Sequence, residues 1–139
     1  FNHIGLLAIE LFLTESDEIL INEVAPRPHN SGHHTIECCM TSQFEQHLRA
    51  VLNLDLGSTS IKIPGVMLNL VGEENHKGEV IYEKIEDVFN TKGASIHIYG
   101  KKQTKPNRKM GHITVVNKEL NKAKKLADKI RESIKVISK

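Results

Sequence analysis

The sequence predicts an α+β protein: an antiparallel sheet with helices, followed by a small C-terminal domain of short antiparallel strands and helices. Three observations predict it. Apolar runs of strand length over residues 4–13 and 19–25 flank the polar turn Thr14–Glu18. Helical periodicity follows them, with Phe44, Leu48, Val51 and Leu52 on one face. A polar break at Gly57–Ser60 then gives way to short apolar runs separated by turn residues, which divides the chain into domains 1–57 and 58–139.

In the hairpin, pairing Leu13 with Leu20 puts Glu10 directly opposite Glu23. Opposed side chains in an antiparallel pair share a face, with Cβ atoms about 4.5–5.5 Å apart. Leu6, Ala8, Phe12 and Ile21 then share the glutamate face, and Ile9, Leu11, Leu20 and Val24 take the other. A pair apolar on both faces is expected to be covered on both, inside a larger sheet. Two glutamates among apolar neighbours repel, and a divalent cation such as magnesium would relieve that. A shifted register that separates them is the other reading, and spacing alone does not choose.

Beyond the second strand runs Ala25-Pro-Arg-Pro-His-Asn-Ser-Gly-His-His34. Pro26 and Pro28 each lock their own φ and push the preceding residue out of the helical region, so Arg27 is held extended. The result is a stiff polar ledge that carries a cation, hydrogen-bond donors and a nearby carboxylate.

A short helix is expected over 33–40. Ser42-Gln-Phe-Glu45 reads as a capping box opening the next helix, with Gln43, Gln46 and Arg49 off its apolar face and His47 at a solvated position. Cys38 and Cys39 are adjacent, which suits neither a disulfide nor a zinc site. They read as small buried residues in a helix, in a reducing cytoplasm.

In the second domain Val66–Val71 reads as a strand. Ile81, Ile85, Val88 and Phe89 read as one amphipathic helix. Ala94–Tyr99 and Met110–Val116 read as antiparallel partners. Their connection, Gly100–Lys109, holds five cations and no acid. Strand ends and such a loop can hold a phosphate, although on the residues alone a solvated hairpin tip is the simpler account. Asn117 is placed to cap a last helix whose apolar positions are Leu120, Ala123, Ala127, Ile130, Ile134 and Ile137.

Composition excludes some classes. A net charge of +2 does not argue for nucleic acid, and 4% aromatic residues with no tryptophan do not make a base-stacking surface. No apolar run is long enough for a membrane span. The chain starts at Phe1 without an initiator methionine and enters a strand at once, so an N-terminal part is expected to be missing. No glycine-rich phosphate loop or candidate adenine pocket is found.

The run Asn22-Glu-Val-Ala-Pro-Arg-Pro-His-Asn-Ser-Gly-His33 resembles the signature of 5-(carboxyamino)imidazole ribonucleotide synthase. This is the ATP-grasp carboxylase of purine biosynthesis, the ATPase subunit of phosphoribosylaminoimidazole carboxylase. Gly5–Phe12, Thr41–Ala50, Tyr99-Gly-Lys101 and Arg108-Lys-Met-Gly-His112 fit the same family in the same order.

The resemblance implies the C-terminal part of an ATP-grasp domain followed by a small C-terminal domain. It implies ATP-dependent carboxylation of 5-aminoimidazole ribonucleotide by bicarbonate, through carboxyphosphate. Glu10 and Glu23 would hold Mg2+, with Asn22 and Glu23 near ATP. Arg27 would bind the bicarbonate-derived anion, and His29 would contact it and assist proton transfer. Asn30 and Ser31 would orient the nucleotide, and Lys101, Arg108 and Lys109 would hold its 5′-phosphate. Ala25 departs from the wider ATP-grasp pattern, where asparagine often adds a metal ligand, and Lys102-Gln-Thr-Lys105 departs from the family's usual loop. The implied partners are small molecules and the N-terminal lobes of the same enzyme, with a homodimer possible and neither nucleic acid nor membrane. The fragment alone is expected to be inactive. Two alternatives stay open: a formate-dependent glycinamide ribonucleotide transformylase, and a non-catalytic nucleotide- or phosphate-binding module.

Overall fold

The computed structural model describes residues 2–139. Phe1, on which the expectation of a missing N-terminal part rests, lies outside the described residues. The chain divides into two compact units, Phe1–Lys62 and Ile63–Lys139. The units part after Lys62. Residues 58–62 stay with the first unit because Met40 N–H donates to Ser60 C=O (2.9 Å) and Lys62 N–H to Cys38 C=O (2.8 Å).

In the first unit β1 (Ala8–Leu13) and β2 (Ile19–Ala25) form an antiparallel hairpin. The turn between them places Asp17 at φ 59°, a conformation that aspartate tolerates through local hydrogen bonding. The pairing corrects one expectation while keeping its consequence. Leu13 faces Ile19, not Leu20, yet Glu10 does face Glu23. A bulge after Glu10 absorbs the difference and leaves Asn22 as the extra residue. Past the bulge Ile21 faces Leu11 and Leu20 faces Phe12. The faces proposed for Ile21 and Leu20 are thereby exchanged, since a one-residue slip moves a side chain to the opposite face. No third strand joins this sheet among the described residues, and Ile9, Leu11, Phe12, Leu20 and Ile21 are all more than half exposed.

A 3-10 turn at Asn30–Gly32 leads into α1 (Thr35–Cys38), and α2 spans Gln43–Val51. Cys38 closes α1 and is buried. Cys39 is also buried but lies beyond the helix in an extended conformation, bridging to Ile61, because only one turn separates it from the ledge. Half of the capping box forms: Ser42 Oγ accepts from Glu45 N–H at 3.2 Å, while the Glu45 carboxylate takes Arg49 instead.

The apolar face read for α2 is exposed. Leu48, Val51 and Leu52 are more than half exposed and Phe44, stacked on His33, is 39% exposed, whereas Gln43 is buried. Gln46 holds Gly57 at both its N–H and its C=O, and His47 is not simply solvated, since its Nδ1 accepts Leu6 N–H at 3.1 Å. Within this unit α2 is fastened through its polar face.

The second unit has two three-stranded antiparallel sheets. One orders β3 (Gly65–Val71), β7 (Lys109–Val116) and β5 (Ala94–Ile98); the other orders β6 (Gln103–Thr104), β4 (Gly78–Glu83) and β8 (Lys135–Ser138). Helix α3 (Ile85–Phe89) follows β4, and α4 (Leu120–Ser133) packs on β3 and β7. The core joins Met110, Ile113 and Val115 of β7 to Ala127 and Ile130 of α4.

Four expectations are corrected here. Ile81 lies in β4, not in a helix. Ile137 lies in β8 rather than in the last helix, which ends at Ser133. The two residues face each other across the β4–β8 ladder. The basic connection also contains a short strand, β6, paired with Gly78 and Glu79. Asn117 does not cap α4, whose N-cap is Glu119; its Oδ1 accepts Glu119 N–H at 3.0 Å in the turn just before the helix.

Candidate functional site

Among the described residues, Glu10, Glu23 and His29 bring ligand atoms within 4.8 Å of one another. Three local features converge there. The bulge at Asn22 keeps the two glutamates opposed while the rest of the hairpin shifts. The chain leaves β2 through a tight turn at Pro26, closed by Arg27 N–H donating to Ala25 C=O at 2.9 Å. His29, at φ −114° and ψ 147°, turns its ring back toward the hairpin.

The His29 side chain is 12% exposed; its Nδ1 lies 3.4 Å from Glu10 Oε1 and its Nε2 3.8 Å from Glu23 Oε1. Ser31 Oγ shares a hydrogen bond with His29 Nδ1 at 2.8 Å. Asn22 Nδ2 donates to Glu10 Oε2 at 3.2 Å. Arg27 Nη2 stands 3.9 Å from Glu23 Oε1, and its Nη1 donates to Pro28 C=O at 3.1 Å. Arg27 remains largely exposed, its fork open to an anion. The structure thus brings Glu10, Asn22, Glu23, Arg27, His29 and Ser31 together, with Asn30 next along the ledge in the 3-10 turn.

The donor set fits a hard divalent cation. Two carboxylates face each other across one ladder position, and among the described residues the permanent cation paired with them is the arginine at 3.9 Å.

Sequence reasoning missed the support beneath the ledge. Gln43 Oε1 accepts His29 N–H at 2.9 Å, and Gln43 Nε2 donates to His29 C=O and to His33 Nδ1, each at 2.8 Å. Thr35 Oγ1 donates to Gly32 C=O at 2.6 Å and accepts Gln43 N–H at 2.9 Å. The available signal was a glutamine opening a helix beside a capping serine, which reads equally well as solvated.

In the second unit Lys101, Arg108 and Lys109 border the basic connection. Gly72 lets that connection lie against the end of β3: a Cβ there would stand 2.2 Å from Lys105 C=O. Gly72 N–H donates to Arg108 C=O (3.0 Å) and Asn107 N–H to Gly72 C=O (2.9 Å), with Asn107 at φ 60° after Pro106. Lys101 Nζ donates to Lys109 C=O, and Arg108 Nη1 to Gln103 C=O at 3.0 Å. Behind the strand ends Tyr99 Oη and His112 Nδ1 share a 3.0 Å hydrogen bond, and His112 stacks on His97 with centroids 4.5 Å apart. His112 is buried, so the ring that aligns these strand ends is part of the fold.

Two family models match the sequence: the ATP-grasp domain over residues 1–44 and the phosphoribosylaminoimidazole carboxylase C-terminal domain over residues 65–126. The N5-carboxyaminoimidazole ribonucleotide synthase of Bacillus subtilis is 55% identical over 113 residues, covering 81% of this chain and 28% of that protein. The chloroplastic phosphoribosylaminoimidazole carboxylase of Vigna aconitifolia is 52% identical over 120 residues, covering 84% and 22%. The crystal structure of the N5-carboxyaminoimidazole ribonucleotide synthetase of Thermotoga maritima superposes with a TM-score of 0.93 at 53% identity, covering 98% of this chain and 38% of that one. The Aspergillus clavatus N5-carboxyaminoimidazole synthase, solved with ADP and 5-aminoimidazole ribonucleotide, superposes with a TM-score of 0.80 at 39% identity, covering 92% and 34%. The chain spans less than two fifths of the length of each of these proteins.

Proposed function

The chain belongs to the N5-carboxyaminoimidazole ribonucleotide synthase family of ATP-grasp ligases, and on that footing we propose that it serves ATP-dependent carboxylation of 5-aminoimidazole ribonucleotide by bicarbonate, in a polypeptide that also carries the family's ATP-holding lobes. The observation that carries this reading is the cluster of Glu10, Glu23 and His29 beside Arg27. It joins a hard-cation donor set to an anion-binding fork and a titratable ring.

Glu10 and Glu23 would hold Mg2+. When bound, the ion would supply charge neutralisation at the ATP phosphates. Asn22 would orient the Glu10 carboxylate near ATP. Arg27, with its fork exposed, would bind bicarbonate or the carboxyphosphate made from it. The His29 ring, held by Ser31, would accept or return a proton as the exocyclic amine is carboxylated. Asn30 and Ser31 would orient the nucleotide. Lys101, Arg108 and Lys109 would meet its 5′-phosphate with charge-assisted hydrogen bonds.

No helix is long and apolar enough to cross a membrane among the described residues, and both cysteines are free thiols. We take the protein's setting to be the reducing cytoplasm.

The test is ADP release by the natural polypeptide that contains this sequence, with ATP, bicarbonate and 5-aminoimidazole ribonucleotide each omitted in turn. Release that requires all three is expected. Release with formate and glycinamide ribonucleotide in their place would favour the transformylase reading. Nucleotide binding without ADP release would favour a non-catalytic module.

A further inference from the structure

We propose that Gln43 is a positioning residue for the anion and proton step. Its amide would act as a strand-like partner that clamps the backbone of His29 and so sets where the imidazole stands between Glu10 and Glu23. The role rests on the carboxylation reading above.

The amide meets His29 at both ends: Oε1 accepts the N–H at 2.9 Å and Nε2 donates to the C=O at 2.8 Å. A backbone N–H can only donate and a C=O only accept, so the orientation of this amide is dictated by chemistry. His29 is extended, the conformation in which a residue pairs with a neighbouring strand. Among the described residues no strand lies there; a side chain supplies the pairing instead.

The second proton of Nε2 goes to His33 Nδ1 at 2.8 Å, which requires a lone pair on that nitrogen. The His33 ring is stacked on Phe44, the residue after Gln43. One glutamine therefore holds two histidines of the ledge in register with the start of α2.

Two further facts separate this role from ordinary helix capping. Gln43 is only 7% exposed, whereas Phe44 and Leu48 of the same helix are 39% and 59% exposed. Burying an amide while leaving apolar side chains in water is unfavourable unless the amide is fully engaged. The ledge has also yielded space to it, since a Cβ on Gly32 would stand 2.5 Å from Gln43 Oε1.

The experiment compares Gln43→Met and Gln43→Glu in the natural polypeptide, reading steady-state kinetics, the thermal midpoint and hydrogen exchange at the His29 amide. Methionine keeps the length and loses every bond; glutamate keeps an acceptor for His29 N–H. For Gln43→Met we expect kcat to fall roughly 10- to 100-fold, because displacements of about 1 Å cost that much. KM for ATP should stay within about twofold, and exchange at the His29 amide should accelerate about tenfold or more. Glutamate should recover part of kcat. An unchanged kcat, a rise in KM for ATP equal to the loss in kcat, a loss matched by the unfolded fraction, or unaltered exchange at His29 would each overturn the proposal. If the unsubstituted protein releases no ADP, the carboxylation reading fails, and the exchange measurement still decides whether the clamp exists.

Discussion

Glu10 stands directly opposite Glu23 across the hairpin, and it does so because Asn22 bulges out of the ladder between Glu23 and Ile21. Like charges at one ladder position cost about 0.2–1 kcal/mol, and the partial exposure of both side chains keeps this pair near the lower end. Glu23→Gln is expected to raise the thermal midpoint slightly without divalent metal and to remove the rise that Mg2+ or Mn2+ produces in the parent. Melting curves with and without metal check it. A variant that keeps its full metal-dependent rise would take Glu23 out of the cation site.

Arg27→Lys keeps the charge and loses the fork. The structure holds Arg27 away from a tight carboxylate pair, with 3.9 Å to Glu23 Oε1. We expect KM for bicarbonate to rise about tenfold, as for loss of one charge-assisted bond, with KM for ATP little changed. Bicarbonate titration of ADP release decides it.

Gly32→Ala is expected to mimic loss of the clamp. Its Cβ would need the Gln43 amide to shift, because the gap to Oε1 is 2.5 Å. Hydrogen exchange at His29 should accelerate as in Gln43→Met. Unchanged exchange would mean the amide accommodates the methyl without releasing the ledge.

Burial raises the Cys38 thiol pKa above the ordinary value of 9.0, helped by Cys39 and Glu37 and opposed by Lys62. The folded chain then keeps this proton at pH values where the unfolded chain has lost it. The contribution to stability is fully present below 9.0 and is lost as pH rises through the folded pKa. Urea midpoints should fall more steeply above that pH in the parent than in Cys38→Ala, and iodoacetamide should label Cys38 slowly at pH 8. Equal slopes would remove the linkage.

The two units should also respond differently to truncation. In the 139-residue chain Ile113→Ala is expected to cost about 2–5 kcal/mol, since Ile113 is fully buried. Leu48→Ala, 59% exposed on α2, should stay within about 0.5 kcal/mol. Urea melts of the two variants check this, and a large loss for Leu48→Ala would show that its face is packed.

The sequence by itself determined what depends on neighbours along the chain. The hairpin, the capping serine at 42, the buried stripe Ala123–Ala127–Ile130 and the pairing of β5 with β7 all follow from period and turn chemistry. The glutamate pair was legible too, because two opposed positions survive one bulge between a wrong pairing and a right one. Only the tertiary structure decided what depends on partners distant in sequence. Ile81 and Ile137 each fit a helical stripe, but they belong to a strand ladder that neither segment can reveal alone. The polar face of α2 is the fastened one because Gln43, Gln46 and His47 find backbone partners at His29, Gly57 and Leu6. Periodicity reports which side chains share an apolar face; it carries no information about which distant backbone groups need a hydrogen bond.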